Sequence, residues 1–247
     1  MNVLITSGGT IEKIDNVRSI SNMSTGRLGS TIANSFLKNT QVDKLFYVCS
    51  KTTLLPESLD IHPGNEKALE VIYANSVADL EKTIEYVFST AKIDIIIHSM
   101  AVSDYKVKSV TTLSALRENP DVSDVHLNAN NGNTGYGTGK ISSELDDMVL
   151  IMERTPKVIS KFKELSPDST LVGFKLLDNV TVETLINRGF EVLTKNNCSF
   201  VLANDLKDIK GDEHIGYLID KNRNFARHTT KAEIADAIVN AVVVQIC

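Results

Sequence analysis

The chain has 247 residues, of which 42% are hydrophobic, enough to bury the core of one large domain or two small ones and too apolar for wholesale disorder. Lys and Arg number 26 against 31 Asp and Glu, and the net charge of −5 argues against a nucleic-acid coat or docking on an anionic membrane. There is no signal-type segment and no apolar run near the roughly 18 residues of a membrane span. The 3 Cys and 5 His are too scattered for a disulfide framework or metal-ligand pairs, so a cytoplasmic protein is expected.

In chain order, Val3–Thr6 reads as a strand that ends in the turn Ser7-Gly8-Gly9-Thr10. Residues 11–23 are mixed and lack helical periodicity. From Ser24, a candidate N-cap, Leu28, Ile32, Ala33, Phe36 and Leu37 recur at helical spacing. Leu45–Cys49 is the next strand. Ser76 caps a helix carrying Val77, Leu80, Ile84, Val87 and Phe88 on one face. Ile93–Ile97 is β-branched and fits a strand buried on both sides of a parallel sheet.

The middle of the chain differs. Asn128–Gly139 contains 4 Asn and 4 Gly, a composition for turns, and a long loop inside a compact domain is commonly functional. Order resumes with a strand at Met148–Met152, then a helix opened by Thr155 and Pro156 as N-cap and first residue. Thr170–Lys175 is a strand, Val180–Asn196 mostly helix and Phe200–Ala203 a strand. A hairpin is expected around residues 221–223, and the capping box Thr230–Glu233 opens the last helix. The repeated β-α-β order predicts a three-layer, Rossmann-like, mainly parallel α/β sheet with helices on both faces. Its ligand crevice would lie at the carboxyl ends of the strands.

Four segments at such ends carry chemistry. Gly8, Gly9 and Thr10, with Ser24, Thr25 and Gly26 at the next helix start, suit backbone donors that cradle phosphate. They match neither GxGxxG nor a P-loop. Arg18 and Asn22, in the insert between them, offer a cation and an amide to an anion. After Ile97 comes a run containing Ala101 and Asp104; Asp104 suits a ribose hydroxyl or a turn cap, and His98 reads as a packed core residue. Lys140 ends the Asn/Gly stretch, where a lysine on a loop can neutralise charge on a transferring phosphate. Pro156, Lys157, Val158 and Ile159 sit at a strand-to-helix junction, and Phe174 either stacks on a base or packs in the core.

Each signal alone is weak, but their order is specific. Gly8-Gly9-Thr10, the stretch from Asp15 through Arg18 and Asn22 to Gly29, Ala101–Tyr105, Lys140, Pro156, Gly173-Phe174 and Ala203-Asn204-Asp205 together resemble the phosphopantothenate–cysteine ligases of coenzyme A synthesis. The likeness spans nearly the whole chain and is strongest to the stand-alone bacterial, CTP-dependent form. It implies a single domain over residues 1–247, with 106–147 as an inserted flap and dimerisation segment, and a homodimer. It implies activation of the phosphopantothenate carboxylate by CTP, with Mg²⁺ on the nucleotide phosphates, to an acyl-cytidylate that L-cysteine then attacks, releasing CMP.

By this resemblance Asn22 and Lys140 are catalytic, and Arg18, Asn22 and Ala101 hold phosphopantothenate. The nucleotide falls to Gly8, Gly9, Thr10, Ser24, Thr25, Gly26, Asp104, Lys140, Pro156–Ile159, Phe174 and Lys195. The family often has two basic residues before its Ala-Asn-Asp triplet; Lys195 matches the second, and Glu191 stands at the first. A Rossmann-type NAD(P) oxidoreductase is the rival enzyme, yet it calls for GxGxxG and an acidic residue where the second strand ends Val48-Cys49-Ser50. A non-catalytic nucleotide-sensing domain explains the loops but not Asn22 together with Lys140.

Overall fold

A computed structural model describes residues 1–57, 68–118, 139–143, 147–211 and 213–245. The described elements are β1 (Asn2–Ser7), β2 (Ile11–Lys13), β3 (Ser19–Ser21), α1 (Arg27–Leu37), β4 (Lys44–Cys49), β5 (Leu69–Tyr73), α2 (Val77–Thr90), β6 (Ile95–His98) and β7 (Tyr105–Thr111). They continue with α3 (Leu113–Glu118), β8 (Val149–Arg154), α4 (Val158–Leu165), β9 (Thr170–Leu177), α5 (Val182–Lys195), β10 (Phe200–Lys210), β11 (Glu213–Asp220), β12 (Phe225–Thr230) and α6 (Lys231–Val244).

Eight strands form the main sheet in the order β12-β11-β10-β9-β6-β1-β4-β5. Those from β10 to β5 are mutually parallel, and β11 and β12 join antiparallel as the expected hairpin. Strand alternation sorts the core into two layers. Leu4, Val48, Ile96, Leu171 and Val201 face α2, α4 and α5. Val3, Ile5, Tyr47, Ile97, Val172 and Leu202 face α1 and α6. The three-layer Rossmann-like architecture is therefore present. From β1 the chain steps outward to β4 and β5, then returns past β1 to β6, so the strand order reverses between β1 and β6. An α/β sheet binds its ligand at the carboxyl side of such a reversal.

The local differences from expectation have physical causes. Helix α1 opens at Arg27 rather than Ser24, because Gly26 sits in the left-handed region at φ 74° and turns the chain into the helix. Residues 11–21, expected to be irregular, form the hairpin β2–β3. Strand β5, not expected from the sequence, is a half-buried edge strand with Glu70 as its second residue. Strand β8 leaves the main sheet and pairs antiparallel with β7, forming a separate ribbon. Helix α4 takes Lys157 as its N-cap, two residues after Thr155. The expected dimerisation flap and the Asn/Gly stretch fall largely outside the described residues, as does Cys247. Cys49 and Cys198 are buried free thiols, and burial pushes them up to about 11 and about 12.

Candidate active site

Beyond β1 and β6 the two strand ends are joined backbone to backbone. The Ala101 N–H donates to the Gly8 carbonyl at 2.8 Å and the Thr10 N–H to the Ala101 carbonyl at 3.2 Å. The buried Thr10 hydroxyl accepts the Ser103 N–H at 2.8 Å. Thr10 is thus committed to holding the two loops together, and its hydroxyl is not open to a nucleotide. The Asn22 carboxamide donates from Nδ2 to the same Ala101 carbonyl at 3.1 Å. Gly9 lies against the Asn22 backbone, where a Cβ on Gly9 would stand 2.6 Å from the Asn22 carbonyl oxygen. The segment from Gly8 to Asn22 and the loop after β6 therefore meet at the reversal of the sheet.

Gly8 has φ 83°, and a Cβ there would overlap Thr53. Gly8→Ala combines that overlap with a left-handed conformation unfavourable to L residues. It is expected to cost more than about 2 kcal/mol, measured as a shift of the urea unfolding curve at unchanged slope.

Helix starts separate the candidate site from the rest of the carboxyl edge. Helices α2, α5 and α6 are capped by the side chains of Ser76, Thr181 and Thr230, each with an acid in the first turn. Helices α1 and α4 have neither a side-chain cap nor an acid there. The Arg27 N–H of α1 donates to the Thr25 hydroxyl at 3.4 Å, and the other first-turn N–H groups and the dipole ends are suited to an anion. Ser24 and Thr25 lead into α1, and Pro156 and Lys157 into α4. The Val158 side chain belongs to the core, leaving its backbone as its only offering to a ligand.

Asp15, Arg18, Asp104 and Lys157 are paired. Lys157 Nζ bonds Asp104 Oδ1, and both side chains are exposed. Arg18 is not a free cation: its Nε and Nη2 reach Asp15 Oδ2 at 2.9 and 2.5 Å, and Nη2 also donates to the Ile141 carbonyl at 2.9 Å. Burial works to raise the Asp15 pKa. Arg18 and the N–H groups of Val17, Arg18 and Ile141 outweigh it and hold the carboxyl well below the usual range. Lys140 is exposed, between Gly139 and the buried Ile141. Ile141 packs with Val107 and Val110 in a small cluster that also takes in Ile14 and Ile20 from the hairpin.

Two sequence-based placements change and one stands. Lys195 ends α5, which runs back from the carboxyl end of β9 to the start of β10, so it lies at the opposite edge of the sheet and does not join this site. Phe174 does not share a pocket with Pro156–Ile159. Gly173 faces Ile159, whereas strand alternation turns Phe174 to the other side, against the α1/α6 core. His98 is a core residue as read: it shares a 2.7 Å hydrogen bond with the Thr6 hydroxyl and packs edge-on to Phe162, and burial lowers it to about 4.

Asp205, in the Ala-Asn-Asp triplet, is structural. Its buried carboxylate accepts N–H groups from Asn179, Val180 and Lys207 at 2.8 to 3.2 Å and lies 3.3 Å from Lys207 Nζ. Burial opposes its ionisation, but these donors hold it at about 2. A depressed native pKa stabilises the fold above the unfolded value near 3.8, and that contribution is lost as pH falls through about 2. Asp205→Asn should therefore lower the melting temperature near neutral pH, with the gap to wild type closing below about pH 4. A constant gap across that pH range in thermal scans would contradict the assignment.

The residues that sequence reading left without a role are Asp15, Glu12 and Thr53. Asp15 stood inside the quoted motif. Glu12, whose buried carboxylate accepts the Val77 N–H at 2.8 Å at the start of α2, and Thr53, packed on Gly8 and Gly26, carried no local signal. Among the described residues no group of three or more His, Cys, Asp or Glu is placed to hold a metal ion, and no helix is long and apolar enough to cross a membrane.

The model of the DNA/pantothenate metabolism flavoprotein C-terminal domain family matches residues 1–133 and 129–245. The coenzyme A biosynthesis bifunctional protein CoaBC of Methanocaldococcus jannaschii is 34% identical over 242 residues, covering 97% of this chain and 50% of that protein. Its counterpart in Thermococcus kodakarensis is 28% identical over 239 residues, covering 96% and 49%. A solved DNA/pantothenate metabolism flavoprotein from Streptococcus pneumoniae superposes with a TM-score of 0.84 at 34% identity, over 99% of both chains. A Cab2 mutant in complex with phosphopantothenate-cysteine shares the fold, with a TM-score of 0.68 at 18% identity over 99% of this chain and 85% of that one. The chain spans about half the length of the curated relatives it matches.

Proposed function

The chain belongs to the family of the DNA/pantothenate metabolism flavoprotein C-terminal domain, and from that membership we propose that it joins phosphopantothenate to L-cysteine in coenzyme A synthesis. The observation that carries this reading is the bond from Asn22 to the Ala101 carbonyl. It brings the most specific stretch of the sequence to the reversal of the sheet, beside two uncapped helix starts. Support also comes from the structural neighbour that holds phosphopantothenate-cysteine.

A carboxylate acylates poorly because its leaving group would be oxide or hydroxide. In the proposed reaction a phosphopantothenate carboxylate oxygen attacks the α-phosphorus of CTP. The bond to the bridging oxygen breaks and pyrophosphate leaves. The cysteine amine then attacks the acyl carbon of the acyl-cytidylate, the C–O bond breaks, CMP departs with the electron pair, and the nitrogen loses a proton. The starts of α1 and α4 would bind phosphate oxygens, and Lys140 would neutralise charge on them. The donor set fits Mg²⁺ carried by the nucleotide rather than by the chain, since the nearby carboxylates Asp15 and Asp104 are already paired with Arg18 and Lys157. When bound, Mg²⁺ neutralises phosphate charge. Asn22 would orient the reacting acyl group. Pairing of chains into a homodimer is part of the same proposal.

Incubation with phosphopantothenate, cysteine, Mg²⁺ and either CTP or ATP, read by mass spectrometry, tests it. Phosphopantothenoylcysteine formed with CTP is the expected product. No product with either nucleotide, or thermal stabilisation by NADPH in preference to both, would overturn the reading.

A further inference from the structure

The two oxygens of Asp15 serve different parts of the molecule. Oδ1 accepts the N–H groups of Val17 and Arg18 at 2.8 and 2.7 Å, within a turn that the Ile14 and Asp15 N–H groups also close by donating to the Arg18 carbonyl at 2.9 and 3.2 Å. Oδ2 accepts the Ile141 N–H at 3.1 Å, from 126 residues away in sequence. Arg18, held by the same oxygen, donates to the Ile141 carbonyl, so the carboxylate and its guanidinium partner grip this residue at both its N–H and its C=O. One residue before Lys140, the Gly139 carbonyl accepts the Asn16 N–H at 3.3 Å. Lys140 therefore stands between two backbone anchors on one hairpin turn. That turn leads through β3 directly to Asn22.

We infer that Asp15 is a positioning residue, which fixes the backbone on either side of Lys140 and so presents that lysine to the crevice where Asn22 is held. The inference rests on the ligase reading for what Lys140 does, but not for the link itself. Asp15→Asn keeps an acceptor for the two turn amides. At the other position it places an NH₂ against three N–H donors, those of Arg18 Nε, Arg18 Nη2 and Ile141, or, if turned, an NH₂ against the turn amides. Either way one side of the link is lost. Asp15→Ser, whose hydroxyl can make the turn but cannot span to Ile141, is the second variant in case the first does not fold.

Amide exchange in the full chain reads the link without reference to activity. The Ile141 amide should exchange at least about tenfold faster in the variant while the amides of β1 and β6 keep their rates. An unchanged Ile141 rate overturns the inference. In single-turnover assays pyrophosphate release should slow by about 10- to 100-fold, while amide formation from supplied acyl-cytidylate keeps its rate. Combined with Lys140→Ala, the variant should add no further loss. Full additivity, or equal slowing of both half-reactions, would indicate a merely structural role and overturn the inference. Failure of the wild-type chain to release pyrophosphate would instead overturn the assigned reaction, and the exchange result would still judge the Asp15 link.

Discussion

Lys140→Ala is expected to slow formation of the acyl-cytidylate by about 10²- to 10³-fold, the usual effect of removing one group that stabilises charge developing in a transition state. The chain should remain folded. The Lys140 side chain is exposed, and the segment around it is anchored by the buried Ile141 side chain and the Asp15–Arg18 pair, neither of which depends on the lysine. The loss should therefore appear in pyrophosphate release in a single turnover, with the melting temperature close to that of wild type. Lys140→Arg would recover part of the rate, since charge is retained while the compact ammonium is replaced by a broad fork. Wild-type pyrophosphate release in Lys140→Ala would remove the lysine from the chemistry.

Asn22→Ala is expected to act on the other half-reaction. Only the NH₂ of a carboxamide can donate to the Ala101 carbonyl, so this bond determines which way the side chain is turned. The Asn22 Oδ1, with no partner among the described residues, is then an acceptor at the rim of the crevice, suited to an N–H of the incoming cysteine amine. Removing it should lower the rate of amide formation by about 10²-fold through lost orientation, leaving pyrophosphate release intact and acyl-cytidylate to accumulate. Asn22→Asp supplies acceptors but no donor for the Ala101 carbonyl, so it should fail as well. Normal product formation by Asn22→Ala would remove this residue from the second step. Loss of pyrophosphate release instead would reassign it to the first.

The two variants together separate the two half-reactions without disturbing the core, because both residues are exposed and neither belongs to it. The fold beneath them was legible where periodicity is strong. The runs at Leu45–Cys49 and Ile93–Ile97 read as strands because their residues are buried on both faces. Ser76 and Thr230 read as caps because their hydroxyls accept the expected N–H groups. The hairpin β2–β3 was not legible. It is three residues on each side, stands apart from the main sheet, and is tied to the rest of the chain by a carboxylate whose partners include a residue 126 positions away.

At the site, the order of motifs along the chain singled out Gly8, Gly9, Arg18, Asn22, Ala101 and Lys140; Gly8, Gly9 and Asn22 all meet Ala101 beyond the strand ends, whereas Arg18 is held to Asp15 and to Ile141, the neighbour of Lys140. Spacing in sequence could not decide orientation. Lys195 precedes the Ala-Asn-Asp triplet by only eight positions, yet a helix antiparallel to its strands carries it to the far edge. Phe174 adjoins Gly173 in sequence, yet strand alternation puts the two on opposite sides of the sheet.

The sequence by itself determined the layered α/β class and put the candidate residues at the carboxyl ends of the strands, because apolar period, turn chemistry and motif order are local properties of a chain. Only the tertiary structure decided which charges are already paired, which helix starts are left uncapped, and how Asp15 and Arg18 grip Ile141 beside Lys140. Those depend on contacts between distant segments, and a carboxylate's partners across more than a hundred residues leave no trace in the residues next to it.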